Sequence, residues 1–252
     1  MAGDAAVGCF RGSTKGHGLK AGIIGALLAL SAPAHAQIAA CALPDRIPAP
    51  RPAGPSTGEP RRLIPTAAYT LAMSWSPQVC VRAGRSDDYQ CDTSRNRFGF
   101  VLHGLWPDGA GRHWPQYCRA APLLSPELLR RNLCATPSVD LLQHEWAKHG
   151  TCMTAAPERY FTQARSLYVR VRFPDMDDLA TERGLTVHRF TQSFLAVNQR
   201  LDPRAVRVRL TREGWLDELW LCVDRKLRFA ACLASQGGGA APDRPMRIRP
   251  PR

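Results

Sequence analysis

The sequence predicts a single α+β domain, in which a central antiparallel sheet packs against helices and disulfides staple the chain. Three observations predict this class. Segments with alternating apolar side chains lie early and late in the chain, and segments with helical apolar spacing lie between them. Strands and helices in separate blocks are typical of α+β domains. A length of 252 residues suits one domain with extensions. An even number of cysteines follows residue 36.

Two strands are predicted early in the chain. Residues 69–75 alternate as a half-buried strand does, and a proline soon ends the pattern. Residues 98–103 form the second strand, in which alternation places His103 on the face opposite the two phenylalanines. Gly104 then permits a turn. Between the strands, residues 79–96 combine cysteines with Gly, Asp and Asn, so they predict a stapled surface loop.

Helices and a late pair of strands follow. Each helical pattern opens with a proline or a polar capping residue, as helix starts commonly do. The predicted helices cover residues 125–133, 139–149, 157–171 and 187–200. Residues 206–210 and 218–223 alternate again, and they predict an antiparallel pair.

The start of the chain resembles a secretory signal. Basic residues precede the apolar run 21–32, and Ala-His-Ala at 34–36 offers small residues for cleavage before Gln37. We therefore predict a signal peptide over residues 1–36 and export to the periplasm or the medium. The run has roughly a dozen residues, whereas a bilayer span needs ~20, so no membrane span is expected. The long basic segment leaves the true start codon open.

Proline-rich and glycine-rich stretches flank the predicted domain. Residues 37–68 contain many prolines, which lack backbone donors, so an extended linker is predicted there. The domain itself is predicted over residues 69–235. Residues 236–252 are rich in Gly, Pro and Arg, and they predict a flexible tail.

The chain is strongly basic. Its formal charge is +13, and removal of residues 1–36, which hold Arg11, Lys15, Lys20 and Asp4, lowers it to +11. Such a charge attracts polyanions and favours counterion release from a phosphate backbone, so nucleic acid is the predicted partner class. Solubility alone is the alternative explanation.

The cysteines predict disulfides. An even number follows the predicted signal peptide, and an exported chain meets an oxidising compartment, so every one of them is expected to pair. No Cys-x-x-Cys spacing of the kind used by zinc sites is present. The residues are Cys41, Cys80, Cys91, Cys118, Cys134, Cys152, Cys222 and Cys232. Residues 38–41 loosely resemble a lipoprotein cleavage box, which leaves lipidation of Cys41 as an alternative.

The helix predicted over 139–149 gathers four polar side chains. At about 100° per residue, His144, Glu145, Lys148 and His149 fall within a sector of roughly 140°. Placing a carboxylate, an ammonium and two imidazoles together costs electrostatic free energy, unless opposite charges alternate or a bound phosphate completes the network of charges. The face therefore predicts a functional site. An ordinary solvated helix face is the alternative.

A zinc site is not predicted on this helix. His144 and Glu145 begin like the metalloprotease helix motif, which sets its histidines four residues apart on one face. His144 and His149 are five apart and would diverge by ~140° on a regular helix, so they do not easily share one ion.

The third histidine, His103, stands near Trp106, Asp108 and Trp114. An imidazole, indoles and a carboxylate beside a turn suit recognition of a base. A buried strand histidine packed with tryptophans is the alternative. A strand-end histidine, a polar helix face, a basic chain and no metal cluster together predict phosphoryl transfer by acid and base.

Two nine-residue segments carry a family resemblance. FVLHGLWPD at 100–108 and HEWAKHGTC at 144–152 resemble, without a break, the two active-site segments of the ribonuclease T2 family. The similarity covers about residues 69–232, and the chain is identified as resembling a secreted, bacterial-type member.

The resemblance implies cleavage of single-stranded RNA, in which the ribose 2′-hydroxyl attacks the adjacent phosphorus. A 2′,3′-cyclic phosphate forms and is hydrolysed to a 3′-phosphate. By motif position, His149 would be the general base and His103 the general acid. Glu145 and Lys148 would stabilise the pentacovalent phosphate, and His144 would help to bind it. No metal or cofactor is implied, because the nucleophile is internal to RNA, and a monomer is expected.

The resemblance also implies a base site and disulfide pairs. Trp106, Asp108 and Trp114 would stack on the base and accept hydrogen bonds from its edge. The implied pairs are Cys80 with Cys91, Cys118 with Cys152, and Cys222 with Cys232, which leaves Cys41 to pair with Cys134. Because one histidine must be neutral while the other is protonated, an acidic to mildly acidic optimum is expected.

A catalytically silent RNA-binding protein on the same scaffold is the competing hypothesis. Its mark in the sequence would be the loss of a catalytic histidine. Both His103 and His149 are present.

Overall fold

A four-stranded antiparallel sheet organises the molecule. The computed structural model describes residues 38–83 and 88–251, so the predicted signal peptide lies outside the described residues. The strands are β2 (Ala68–Trp75), β4 (Phe100–Asp108), β5 (Val206–Leu210) and β6 (Leu216–Val223). Their order is β4-β2-β6-β5. Helices pack on this sheet, and the predicted α+β class is confirmed.

The two faces of the sheet differ in polarity. Successive side chains of a strand point to opposite faces, and apolar residues of β2 and β6 alternate with polar or amphipathic ones. The residues that enter the apolar core are Leu71, Met73, Trp75, Leu219 and Leu221. The residues that point the other way include Thr70, Ser74, Glu218 and Trp220. One face therefore holds the core, and the other is available for chemistry.

Strand β4 carries one extra residue where it passes the polar face. Ala72 of β2 pairs with Gly104, and Met73 pairs with Leu102, so His103 has no partner of its own in the register. A bulge of this kind re-aims a side chain and is common beside active sites. The bulge leaves His103 and Gly104 both on the polar face, so that Trp106 and Asp108 beyond it share that face with His103.

The turn predicted at Gly104 is absent, because β4 continues through this residue. The glycine serves close packing instead, since a Cβ at this position would collide with the carboxylate of Glu145. A glycine within a strand commonly marks such a close approach.

The surface loop predicted over 79–96 is largely regular structure. It contains most of α1 (Ser76–Ala83), α2 (Asp88–Cys91) and the start of β3 (Asn96–Phe98). Helix α1 begins directly after β2, and Pro77 lies in its first turn. Backbone N–H groups there have no acceptor within the helix, so the N–H that proline lacks is not needed. The proline that ends the strand therefore also starts a helix.

The four predicted helices are present, with changes at their ends. They are α3 (Pro126–Asn132), α4 (Val139–Glu145), α6 (Pro157–Tyr168) and α8 (Val187–Val197). A π-helical turn (Trp146–Gly150) and the short α5 (Thr151–Met153) follow α4. Helix α7 (Met176–Thr181) was not predicted. It is a short helix, and the Asp175 side chain caps its start by accepting hydrogen bonds from two backbone N–H groups.

The proline-rich arm is extended and is attached to the domain along its length. Strand β1 (Ile38–Cys41) pairs with β3. Arg62 and Gln116 exchange two backbone hydrogen bonds, each with an N···O distance of 3.0 Å. Arg51 donates to the Asp140 carboxylate in α4. The arm therefore runs beside the segment that carries the polar helix face.

The prediction of a flexible tail over 236–252 is wrong for the described part of that segment. Met246 and Ile248 are buried in the core. The guanidinium groups of Arg247 and Arg249 lie 4.3 and 4.2 Å from the ring centre of Trp215. The Gly, Pro and Arg composition that suggested flexibility conceals two large apolar side chains, whose burial holds the tail in place.

Disulfides join distant parts of the chain. The expected pairs are all formed: Cys41–Cys134, Cys80–Cys91, Cys118–Cys152 and Cys222–Cys232. Cys41–Cys134 fixes the start of the arm to the region after α3. Cys118–Cys152 ties the loop after β4 to α5, directly behind the polar helix face.

Of the helices in residues 38–83 and 88–251, none combines the length and the apolar character that crossing a bilayer requires.

Replacement of Ile248 by Ala should measure how firmly the tail is packed. Truncating a buried Ile in a well-packed core costs about 2–5 kcal/mol of unfolding free energy. Urea unfolding of Ile248→Ala gives this value directly. Leu63→Ala is the control, because the Leu63 side chain is exposed and its loss should be nearly neutral. Equal stability of the two variants would mean that the tail does not contribute to the core.

Candidate active site

One side of the site is a helical segment that changes its winding. Ser138 begins α4 by accepting a hydrogen bond from the backbone N–H of Leu141. Leu142 and Trp146 bury their side chains in the core and anchor the segment. From Trp146 onward the chain forms a π-helical turn, an irregularity that frequently occurs at functional sites.

The π turn removes one reason for excluding a zinc site on this helix. Its hydrogen bonds join residues five apart, so the ~140° separation expected for His144 and His149 on a regular helix does not apply. Within the described ranges, no group of three or more His, Cys, Asp or Glu residues is placed to hold a metal ion. A metal-free site stays a prediction, and its basis is the chemistry of the substrate rather than helix angles.

All the non-cysteine side chains predicted for the site line one cavity of about 440 Å³. The cavity lies between the polar sheet face and the π turn. Its predicted members are His103, Trp106, Asp108, Trp114, His144, Glu145, Lys148 and His149. Residues that the sequence analysis did not predict also line it: Thr70, Pro107, Trp220, Ser235, Gln236 and Gly237.

His103 lies between two carboxylates. Its Nδ1 donates to Glu218 Oε1 over 2.6 Å, and its Nε2 is 3.5 Å from Glu145 Oε1. Burial lowers the pKa of His103, but the hydrogen bond to Glu218 and the negative charges of both carboxylates outweigh this effect. The net result is a raised pKa, so His103 keeps its proton to a higher pH than an exposed histidine.

Glu145 is a buried side chain in the lining of the cavity. The indole N–H of Trp106 donates to Glu145 Oε2 over 2.8 Å, and the missing side chain of Gly104 leaves room for the carboxylate. Burial raises the pKa of Glu145 to about 7, although the His103 charge and the Trp106 hydrogen bond oppose the shift. This carboxyl group therefore changes its protonation close to neutral pH.

His149 has the opposite environment to His103. Its side chain is buried, its ring centre lies 5.6 Å from that of Trp106, and its Nδ1 has no hydrogen-bond partner within the described structure. Burial lowers the pKa of His149 well below its usual value, and the positive charges of Lys148, His144 and His103 lower it further. His149 is therefore a neutral imidazole.

Lys148 is paired with a carboxylate that the proline-rich arm supplies. Its Nζ donates to Glu59 Oε1 over 2.5 Å, and the hydroxyl of Tyr117 donates to Glu59 Oε2 over 2.9 Å. The hydrogen bond from Lys148 is the main cause of a lowered Glu59 pKa. Beside this pair, burial and the Lys148 charge lower the pKa of His144. The Glu59 carboxylate is therefore the anion that pairs with Lys148.

Asp108 is held from two sides at another wall of the cavity. The hydroxyl of Thr70 and the amide of Gln236 donate to Asp108 Oδ2 over 2.8 and 3.0 Å. Burial raises the pKa of Asp108 to about 6, although these hydrogen bonds oppose the shift. Gln236 begins the segment that was predicted to be a flexible tail.

The two predicted base-site tryptophans differ in exposure. Trp106 packs edge-on against His103 and Trp220, with ring centres 5.0 and 5.3 Å apart. Trp114 is 42% exposed at the rim. The Arg62 guanidinium lies 4.8 Å from its ring centre, so one face of the Trp114 ring is covered by the arm.

Several residues that shape the site were not predicted from the sequence. The sequence could have identified Glu218 and Trp220. They alternate with apolar residues in a predicted strand and therefore lie on its polar face. Glu59 and Gln236 lie in segments that composition assigned to a linker and a tail. Nothing local marks their approach to Lys148 and Asp108, which depends on the tertiary path of the arm and the tail.

The comparison with known families agrees with the motifs. The model of the ribonuclease T2 family matches residues 66–232, which include both nine-residue motifs and more than half of the chain. The chain belongs to the ribonuclease T2 family.

Curated relatives share parts of this sequence. A "Probable ribonuclease" of Haemophilus influenzae is 36% identical over 124 residues, which cover 44% of this chain and 45% of that protein. A "Ribonuclease" of Aeromonas hydrophila is 42% identical over 84 residues, covering 33% and 36%. The chain thus spans less than half the length of these two relatives. "Ribonuclease Oy" of Magallana gigas is 24% identical over 191 residues, covering 65% and 86%.

Solved structures share the fold. RNase NT in complex with 5′-AMP superposes with a TM-score of 0.56 and 21% identity, and the match covers 75% of this chain and all of that one (100%). An RNase-related protein from Calystegia sepium gives a TM-score of 0.56 at 20% identity, covering 71% and 95%. At these identities the likeness supports the fold alone.

Gly104→Ala should displace the Glu145 carboxylate, because the new methyl group would occupy its position. Overpacking of this kind costs about 1–3 kcal/mol, and the Trp106 indole N–H should lose its acceptor. Urea unfolding and the NMR resonance of that N–H report the two effects. Gly58→Ala is the matched control, since nothing lies within 4 Å of its Cβ position. An unshifted indole resonance with unchanged stability would contradict this account of Gly104.

Proposed function

We propose that this protein is an endoribonuclease that cleaves single-stranded RNA through a 2′,3′-cyclic phosphate to 3′-phosphate ends. The opposite environments of two histidines beside one cavity carry the proposal. His103 is surrounded by carboxylates that favour its proton, and His149 is buried without a partner for Nδ1. General acid–base catalysis requires one protonated and one neutral group at the same pH.

In the first step, neutral His149 takes the proton of the ribose 2′-hydroxyl. The 2′-oxygen forms a bond to the adjacent phosphorus, and the bond from phosphorus to the 5′-oxygen breaks. His103 gives its Nε2 proton to the leaving 5′-oxygen. The second step reverses these roles. His103 removes a proton from water as the water oxygen forms a bond to phosphorus, the bond from phosphorus to the 2′-oxygen breaks, and His149 returns its proton to that oxygen.

Three further residues act on the phosphate. Lys148 stabilises the charge of the pentacovalent phosphate, and the substrate replaces Glu59 as its partner. His144 helps to bind the phosphate. Glu145 contributes a carboxyl group near His103 Nε2, and its raised pKa suits a group that shares a proton with the phosphate oxygens. Preorganised groups of this type stabilise charge that develops in the transition state.

A base of the RNA occupies the other part of the cavity. Trp106 and Trp114 supply aromatic surfaces, and Asp108 accepts hydrogen bonds from the base edge. The exposed position of Trp114 suits a residue that the substrate reaches first. The strongly basic chain attracts the RNA backbone over longer distances.

Residues 69–235 form the catalytic domain in this proposal, and residues 1–36 are a signal peptide that directs export to the periplasm or the medium. Disulfides persist mainly in oxidising compartments, and the described chain contains four of them. The enzyme acts as a monomer. Its relatives named as ribonucleases support the activity, within the partial lengths that they share with this chain.

Purified protein should cleave single-stranded RNA in the presence of EDTA and leave cyclic phosphate ends, because the attacking hydroxyl belongs to the substrate. A DNA oligomer of the same sequence lacks this hydroxyl and should stay intact. Mass spectrometry of the products identifies the ends. Cleavage that EDTA abolishes would contradict the metal-free mechanism, and RNA binding without cleavage would favour a catalytically silent protein.

His103→Phe and His149→Phe should each lower the cleavage rate on the order of 10²–10⁴-fold, which is the usual contribution of a general acid or base. His188→Phe is the matched control, because His188 is exposed on α8 and does not line the cavity. Circular dichroism checks that all three variants are folded. Near-normal cleavage by either of the first two variants would refute the assigned roles.

The rate should depend on pH in a bell-shaped manner. His149 must be neutral and its pKa is lowered, so the rate falls only when the pH drops through this lowered value. His103 must be protonated and its pKa is raised, so the rate falls when the pH rises through that higher value. The plateau should therefore include the ordinary histidine pKa of about 6.5. Measurement of kcat/KM on a dinucleoside monophosphate tests this, and a rate that climbs steadily into the alkaline range would contradict it.

A further inference from the structure

Glu218 lies on the polar face of the sheet, next to His103. In the register of β2 and β6 it is paired with Ser74, and its neighbours Leu219 and Leu221 enter the core. The Glu218 side chain is only 14% exposed. The fold of β6 is secured by its apolar residues and does not need a buried carboxylate, whose loss of hydration is costly.

Three donors hold the carboxylate of Glu218 in place. His103 Nδ1 donates to Oε1 over 2.6 Å, Ser74 Oγ donates to Oε1 over 3.0 Å, and Trp220 Nε1 donates to Oε2 over 2.7 Å. Both oxygens are thus occupied from fixed directions. A carboxylate bound in this way also fixes the group that donates to it.

We propose that Glu218 is a positioning residue for the leaving-group step, and that it orients His103 so that Nε2 exchanges protons with the substrate. The inference rests on the proposed ribonuclease function and adds to it a residue outside the two active-site motifs.

The hydrogen bond determines which nitrogen of His103 does the chemistry. Because Nδ1–H is engaged by Glu218, the proton that leaves the imidazolium is the one on Nε2. The neutral ring that results keeps its proton on Nδ1 and presents an unprotonated Nε2 to the cavity. The same nitrogen then accepts a proton from water in the second step. Glu218 therefore supports both halves of the reaction without contacting the substrate.

The other charged groups around His103 do not replace this contact. Glu145 lies 3.5 Å from Nε2, on the side where the leaving oxygen must approach. Lys148 opposes protonation of His103. His144, His149 and Asp217 interact with it through their charges alone. Glu218 alone among these described groups combines a short hydrogen bond with a negative charge at Nδ1.

The test compares Glu218→Gln with Asp217→Asn. Both substitutions remove one carboxylate from β6, but Asp217 pairs with Arg82 and does not touch His103. Each variant is assayed on two substrates: a dinucleoside monophosphate, whose 5′-alkoxide leaving group needs a proton, and a nucleoside 3′-(4-nitrophenyl phosphate), whose phenolate leaves without one.

Glu218→Gln is expected to lose on the order of 10²-fold in kcat/KM on the dinucleoside monophosphate, which is the lower end of a general acid's contribution. It should change little on the activated ester. Its alkaline limb should move to lower pH, and NMR titration should show a lowered His103 pKa. Asp217→Asn, which removes a charge but no hydrogen bond from His103, should keep kcat/KM close to the wild-type value on both substrates and should shift the alkaline limb and the His103 pKa less than Glu218→Gln does.

An equal loss on both substrates, or a His103 titration that Glu218→Gln leaves unchanged, would overturn the inference while the ribonuclease function stands. A wild-type protein that cleaves neither substrate would instead refute the proposed function, and the inference with it. Near-ultraviolet circular dichroism of the folded variants separates these results from a loss of structure.

Discussion

The unequal faces of the central sheet are the constraint on which the rest of the structure depends. One face of β2 and β6 must be covered because Leu71, Met73 and Leu219 need an apolar environment, and the helices supply it. The opposite face is then free to carry polar groups. Strand β4 is an edge strand, and the segment from α4 through the π turn packs beside it. The same segment therefore contributes to the core and to the cavity.

Charge balance explains how so many ionisable groups share this cavity. The cationic form of His103 is placed between carboxylates, whereas buried His149 has only positive neighbours and remains neutral. Lys148 is neutralised by Glu59 from the arm. His103 and Lys148 thus each have a partner of opposite sign, whereas His149, for which the described residues supply none, loses its charge on burial. Two chemically identical side chains acquire different protonation states from their positions alone.

The sequence was informative where local pattern determines structure. Alternation and helical spacing predicted the sheet and the main helices, and the two motifs predicted residues that meet in one cavity although they lie far apart in the chain. Local pattern was less reliable where tertiary contacts decide. The tail is rich in Gly, Pro and Arg, yet Ile248 holds it in the core. The arm reads as a linker, yet Glu59 reaches Lys148. The π turn was not predicted, and it packs against β4 and α6, which local pattern does not reveal.

The extra residue in β4 has a consequence for how this region can vary. On the two sides of His103, opposite parities of the strand point into the core. Deleting one residue there would remove the bulge and restore plain alternation, so Leu105 would still face the core and Trp106 the cavity. The polar face would lose one of the two adjacent positions, 103 and 104, that it now holds. An insertion or deletion elsewhere in β4 that kept the bulge would instead reverse the facing of the residues beyond it. The number of residues in this strand segment is therefore constrained as strictly as their identity. The loop that follows Asp108 has no such constraint on its length.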